Sequence, residues 1–201
     1  AWSELLPADV RAQQIISCDY DRDIDTDLLI ACEGPTFGVL ENLLHSQFRW
    51  RGLTGKWSDL QEASDIVVAE LDGNASWEWW IVSDTKLTSL WTRTPAVGET
   101  VPSSLDSVTL PVECTGLYAA DFNNDSWNDI LAWGSKGLIA IPGKKGGRWA
   151  QVSPNATLLT DSIQHVSVVD LNQKGNLSIL ATTDKGLKLL TSKPAENAQY
   201  L

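Results

Sequence analysis

Apolar runs of four to seven residues, separated by short polar turns, recur along this chain. They do not follow the spacing of an amphipathic helix. Runs rich in Val, Ile, Leu and Trp, punctuated by Gly, Asp and Asn, predict short β-strands instead. The sharpest boundary is "DYDRDIDTDLLI", where Asp occupies positions 19, 21, 23, 25 and 27 before the chain turns apolar. Alternate residues of an extended strand share a face. A regular strand would therefore stack these carboxylates, and neighbours about 5 Å apart repel by about 3 kcal/mol at an effective dielectric of about 20. The segment must curl, or gain a counter-charge.

The pattern repeats. Aligned on the opening acid, the windows are "IISCDYDRDIDTDLLIACEG", "IVVAELDGNASWEWWIVSDT", "LYAADFNNDSWNDILAWGSK" and "VSVVDLNQKGNLSILATTDK". Each holds an apolar run, a nine-residue polar loop and a second apolar run. The loops open at Asp19, Glu70, Asp121 and Asp170, at spacings of 51, 51 and 49 residues. A third run follows in each ("FGVLENL", "LTSLWTR", "GLIAIPG", "GLKLLTS"). A fourth follows as "FRWRGLT" and "GRWAQVS", while the corresponding "VGETVPSS" is weak. Repeating units of about four strands in about 50 residues have the arithmetic of propeller blades. The second runs are apolar on both faces, as expected of a strand sandwiched between neighbouring blades.

The expectation is an all-β chain forming a single β-propeller domain over residues 1–201, with units at about 13–58, 64–110, 115–157 and 164–201. The fourth unit ends after its third strand, and the N-terminal "AWSELLP" has the look of a fourth strand lacking a blade. Trp2, Trp50 and Trp149 precede their acids by 17, 20 and 21 residues. Segment 1–8 would then complete the last blade, close a ring of four blades and remove a sheet edge. The alternative is a fragment of a larger propeller, cut within one blade.

"DYDRDIDTDLLIA" and "DFNNDSWNDILAW" resemble the FG-GAP/VCBS repeat, D-x-[DN]-x-D-G-x-x-D-[LI]. "ELDGNASWEWWIV" matches less well, and "DLNQKGNLSILAT" keeps mainly the frame. The resemblance spans the chain. It implies a propeller of the kind found in integrin α-subunit heads and in bacterial surface proteins, where such loops bind calcium through positions 1, 3, 5 and 9 and the carbonyl of 7. Adhesion is a common role in that family. Related propellers occur in polysaccharide-processing enzymes and lectins.

The residues support the same chemistry unaided, because calcium takes six to eight hard oxygen ligands at about 2.3–2.6 Å. Loop one offers Asp19, Asp21, Asp23 and Asp27, with the carbonyl of Asp25. Loop three offers Asp121, Asn123, Asp125 and Asp129, with the carbonyl of Trp127. Loop two offers Glu70, Asp72, Asn74 and Glu78, and its longer Glu side chains weaken the fit. Loop four carries Lys174 at position 5 and Ser178 at position 9, which disfavours a cation. An EF-hand needs Gly at position 6, Glu at 12 and flanking helices, whereas here position 12 is Ile30 and the flanks are strands. Ile24 at position 6 departs from both patterns and carries a steric cost if that position needs positive φ. Without metal, these loops would be Asx-turn hairpins.

Net charge is −11, from 15 basic and 26 acidic residues. That removes the basic excess a nucleic-acid partner requires. No apolar run reaches the ~18 residues of a membrane-spanning helix. The chain lacks Met and a signal peptide, so it reads as a processed piece of a longer polypeptide. Cys18, Cys32 and Cys114 suit buried free thiols, and a Cys18–Cys32 bridge is the alternative. His45 and His165 lie in no metal or triad signature. "GKKGG" at 143–147 lacks the context of a phosphate loop and reads as a hairpin turn. Trp79 and Trp80 belong to the core, while Trp77 and Trp127 are loop residues. The sum is a non-catalytic, calcium-stabilised binding or adhesion module for protein or glycan, extracellular, periplasmic or on a cell surface. Alternatives are a lectin-like or accessory part of a carbohydrate-processing enzyme, and a structural spacer.

Overall fold

The computed structural model describes residues 5–33, 37–55, 63–74, 76–96, 99–146, 152–153, 156–171 and 173–191. It is an all-β, four-blade β-propeller, with no α-helix among the described residues. Blade one contains β1 (Ala12–Cys18), β2 (Asp27–Cys32), β3 (Phe37–Asn42) and β4 (Phe48–Leu53). Blade two contains β5 (Asp65–Ala69), β6 (Glu78–Ser83), β7 (Lys86–Ala96) and β8 (Glu99–Thr109). Blade three contains β9 (Gly116–Ala120), β10 (Asp129–Gly134), β11 (Gly137–Ile141) and β12 (Thr157–Leu159). Blade four contains β13 (Ile163–Val169), β14 (Ser178–Thr183) and β15 (Gly186–Thr191). In every blade successive strands pair antiparallel in chain order.

The doubly apolar second strands do what their sequences require. Leu29 and Ala31 of blade one pack with Ile66, Trp79, Ile81 and Leu90 of blade two. Trp80, Val82 and Leu87 continue to Ile130, Ala132 and Ile139 of blade three. Leu131, Trp133 and Leu138 then meet Val166, Ile179 and Ala181 of blade four. The core is thus a series of interblade layers rather than one central mass. Trp79 and Trp80 are buried, as expected. Gly116 sits directly beneath the indole of Trp133, where any Cβ would clash with the ring.

Polar pins join the first strands. Gln14 Nε2 donates to Asp65 Oδ1 (2.6 Å) and to the Ile66 carbonyl (3.0 Å), and its Oε1 accepts from Ile66 N (3.1 Å). Asp65 Oδ2 in turn accepts from Leu117 N (2.7 Å), so one carboxylate ties three blades together.

Several details differ from the sequence expectation. Residues 97–98 of the weak "VGETVPSS" lie outside the described residues, and residues 99–104 do form the expected fourth strand but continue to Thr109 as β8, an 11-residue strand in a long hairpin with β7. Its polar residues are held by cross-strand pairing rather than by burial. The fourth strand of blade three falls at Thr157–Leu159, later than "GRWAQVS"; residues 147–151 of that stretch lie outside the described residues. The closing strand expected at 1–8 rests partly on residues 1–4, including Trp2, which also lie outside them. Residues 5–8 form no strand, and Leu5, Leu6 and Val10 cover one face of blade one. The three cysteines are free and buried.

Candidate metal centre

All four nine-residue loops join the first strand of a blade to its second, and therefore share one edge of the propeller. Their backbone recurs. Position 4 has positive φ at Arg22 (63°), Gly73 (81°), Asn124 (59°) and Gln173 (56°). Position 6 has it at Ile24 (78°), Ser126 (73°) and Gly175 (80°). The suspicion about Ile24 is correct: a β-branched residue sits in left-handed backbone, with its side chain 95 % exposed.

Position 9 has a role the sequence reading missed. Asp27 accepts from Tyr20 N (2.9 Å) and Asn42 N (2.8 Å). Asp129 accepts from Phe122 N (2.9 Å) and Gly143 N (2.5 Å). Glu78 accepts from Leu71 N (2.9 Å). This fully buried carboxylate therefore staples the start of its loop to the third strand or its end, through Asn42 N in loop one, Thr92 N in loop two and Gly143 N in loop three. Its longer side chain does not keep Glu78 from the same bond.

Loop one gathers Asp19, Asp21 and Asp27, whose nearest carboxylate oxygens lie within 4.8 Å of one another. Asp19 Oδ1, Asp21 Oδ1 and Asp25 Oδ1 are buried without a hydrogen-bond partner. Asp25 thus offers a carboxylate as well as the expected carbonyl. Asp23 is exposed, and its Oδ1 accepts from Asp25 N (3.1 Å). Burial raises the Asp21 carboxyl above its ordinary range, and the charges of Asp23 and Glu41 add to this. Asp25 is raised by burial and then by Asp23. Asp27 is pushed up to about 6 by burial, against the opposing pull of the Asn42 and Tyr20 N–H groups. Arg49 and Arg51 both pair with Glu41 (2.6 and 2.9 Å), so these two cations serve Glu41. Orphaned oxygens and raised carboxyls mark a place where a cation would relieve desolvated charge. An all-oxygen donor set fits a hard divalent ion such as calcium.

Loop two gathers Glu70, Asp72 and Glu78 in the same way. Burial pushes Glu78 up to about 8, with Asp72 and Glu70 adding to it, and Glu78 Oε1 has no hydrogen-bond partner. Much of the remaining acid is already engaged. Glu70 Oε1 accepts from Asp72 N (3.2 Å) and Gly73 N (2.5 Å), and Asp72 accepts from Asn74 N and Asn74 Nδ2 (both 3.0 Å).

Loop three is knit from within. Asp121 accepts from Asp125 N (3.1 Å) and Ser126 N (2.8 Å), Asn123 Oδ1 from Asp125 N (2.8 Å), and Asp125 from Trp127 N (2.9 Å) and Asn123 Nδ2 (2.9 Å). Its acids do not form a close trio among the described residues. Loop two thus brings three carboxylates close together, whereas loop three, with Asn123 among its donors, does not. In loop four Asp170 accepts from Lys174 N (3.3 Å) and Gly175 N (2.7 Å), an Asx-type turn. Asn172 lies outside the described residues.

Neighbouring loops touch. Asn128 Nδ2 donates to the Glu70 carbonyl (2.9 Å), and Asn124 Nδ2 to Asn176 Oδ1 (3.1 Å). Thr100 on the long hairpin donates to the Tyr20 carbonyl (2.5 Å). Trp77 and Trp127 are half-buried on this edge, and the Trp127 indole borders Gly73. His45 lies in a turn where Leu44, His45 and Ser46 all have positive φ, next to Asn42, whose side chain donates to the Thr26 carbonyl of loop one (3.2 Å); His165 lies in β13 and bonds Ser167 (3.1 Å). No family model matches this chain, and a search of curated proteins finds no relative.

Proposed function

We propose that this chain is a calcium-stabilised, non-catalytic propeller module that binds protein or glycan outside the cytosol. The observation that carries the calcium reading is the set of buried, unpartnered oxygens of Asp19, Asp21 and Asp25 in one loop. Leaving such groups unmatched costs about 1–3 kcal/mol each, or more when charged, and a divalent ion offsets that cost. Asp19, Asp21 and Asp27 would hold the ion, with Asp25 completing its shell; Glu70, Asp72 and Glu78 form the second candidate. The resemblance of the loops to FG-GAP/VCBS repeats points the same way. Modules outside the cytosol work with calcium affinities of about 0.1–1 mM, which suits a loop braced by local hydrogen bonds. The half-buried Trp77 and Trp127 beside the loops make glycan the first ligand class to test, since indole faces stack on sugars.

Thermal unfolding in chelator and in calcium tests the metal reading. A site with a dissociation constant of about 0.1 mM, at a hundredfold excess of calcium, adds about 2.7 kcal/mol. For a chain of this size that raises Tm by roughly 5–10 °C. Equal melting in chelator and calcium overturns it. A glycan array with and without calcium tests the ligand class: calcium-dependent sugar binding supports the glycan reading, and silence directs the search to protein ligands.

A further inference from the structure

Among the described residues one kind of seam recurs three times, and both of its halves are exposed on the outer faces of blades one and four. In blades one to three, cross-strand pairs from the second and third strands face the following blade. Leu29–Val39, Trp80–Ser89 and Leu131–Ala140 are all buried there. The same station in blade four is Leu180–Leu189, and Leu189 is 52 % exposed. The adjoining station holds Ala31–Phe37, Val82–Leu87 and Trp133–Leu138, again buried; in blade four it is Thr182–Leu187, with Leu187 68 % exposed. The second loop residue behaves alike: Tyr20, Leu71 and Phe122 are buried, and Leu171 is 54 % exposed. Gln14 and Asp65, which pin one blade to the next, correspond in register to His165.

The opposite half of the seam is open on blade one. Ile66, Leu117 and Val166 occupy one station of the first strand and are buried against the preceding blade. Ile15 holds that station in blade one and is 59 % exposed. Leu5, Leu6 and Val10 cover the part of this face built by β2 to β4 and leave the β1 side open. Among the described residues no apolar cluster joins blade four to blade one.

We infer that two copies of this chain associate head to tail, blade four of each packing on the β1 side of blade one of the other. The inference rests on continuity with the three seams inside the chain and is independent of the calcium reading. A second copy presents the half-seam that matches each exposed face. A two-fold axis repeats the contact and closes both seams together. The product is a ring of eight blades, within the range propellers adopt.

Light scattering coupled to size exclusion tests this, in chelator and in calcium so that failure of the metal reading is told apart. The expected mass is twice the 22.0 kDa of one chain. The double variant L187D/L189D and the single variant I15D each run as one chain, with wild-type circular dichroism showing that they remain folded. Mixed in equal amounts, the two variants regain a two-chain species, because one unmodified seam forms between them. A wild-type protein that stays at one chain across a hundredfold concentration range overturns the inference, whatever the variants do. So does a mixture of folded variants that remains monomeric, because the one unmodified seam available between them would then not form.

Discussion

Ile24 offers a test of the loop geometry that depends on no ligand. Its φ is 78° and its side chain is 95 % exposed. Left-handed backbone costs an L-residue roughly 1–2 kcal/mol, because Cβ crowds the following carbonyl, and β-branching places Ile at the upper end. Replacement by Gly removes that cost and loses almost no packing. The contact from Ile24 N to Asp19 Oδ2 (3.3 Å) is made by backbone and survives. Against the gain stands the larger conformational entropy of Gly in the unfolded chain, about 0.4–1 kcal/mol. I24G is therefore expected to stabilise the fold by about 0.5–1.5 kcal/mol net, or roughly 2–5 °C in Tm. Urea and thermal unfolding in chelator measure it, and I24A should fall between the two. Gly175 provides the reciprocal case: it holds the same loop position at φ 80°, with open space where a Cβ would project. G175I should destabilise by a similar amount. If I24G is neutral or destabilising while G175I is harmless, the strain argument is wrong.

Four further outcomes follow from the same geometry. D21N should abolish most of the calcium-induced rise in Tm while leaving melting in chelator equal or higher, because it removes one desolvated charge from loop one; an unchanged calcium response would remove Asp21 from the ligand set. G116A should destabilise by about 1–3 kcal/mol, the usual cost of overpacking, since its methyl meets the Trp133 ring; urea midpoints measure it. D65A should cost about 2–3 kcal/mol by the same assay, losing the bonds to Gln14 and Leu117 N together. Glu78 titrates near 8 in the fold against an ordinary value of 4.5, so the native state keeps a proton that the unfolded chain has released. Stability in chelator should then fall as pH rises from about 4.5 towards 8, and E78Q should flatten that slope; an identical slope in E78Q would contradict it.

The blade count and the loop frame were legible because both are periodic. A spacing near 50 residues and second strands apolar on both faces leave little besides a propeller. Position 6 was legible for a similar reason, since Ile stands where a turn calls for Gly. What the sequence hid was partnership. Asp129 and Asp27 look alike on the page, yet loop three satisfies its acids with its own N–H groups, whereas loop one leaves oxygens unmatched. The stapling role of position 9 depends on Asn42 and Gly143, 15 and 14 residues away, which a local motif does not register. β8 registered only weakly, and its extension to Thr109 not at all, because the stretch carries no strong apolar alternation. The exposure of Leu187 and Leu189 has no signature in sequence either, since the same residue types are buried in the preceding blades.

The central claim is that loop one is a calcium site. Its most direct test is anomalous diffraction from crystals grown with calcium. The account predicts an anomalous peak in loop one, with oxygens of Asp19, Asp21 and Asp27 at about 2.3–2.6 Å. A well-ordered loop one without such a peak, in calcium-saturated crystals, would contradict it.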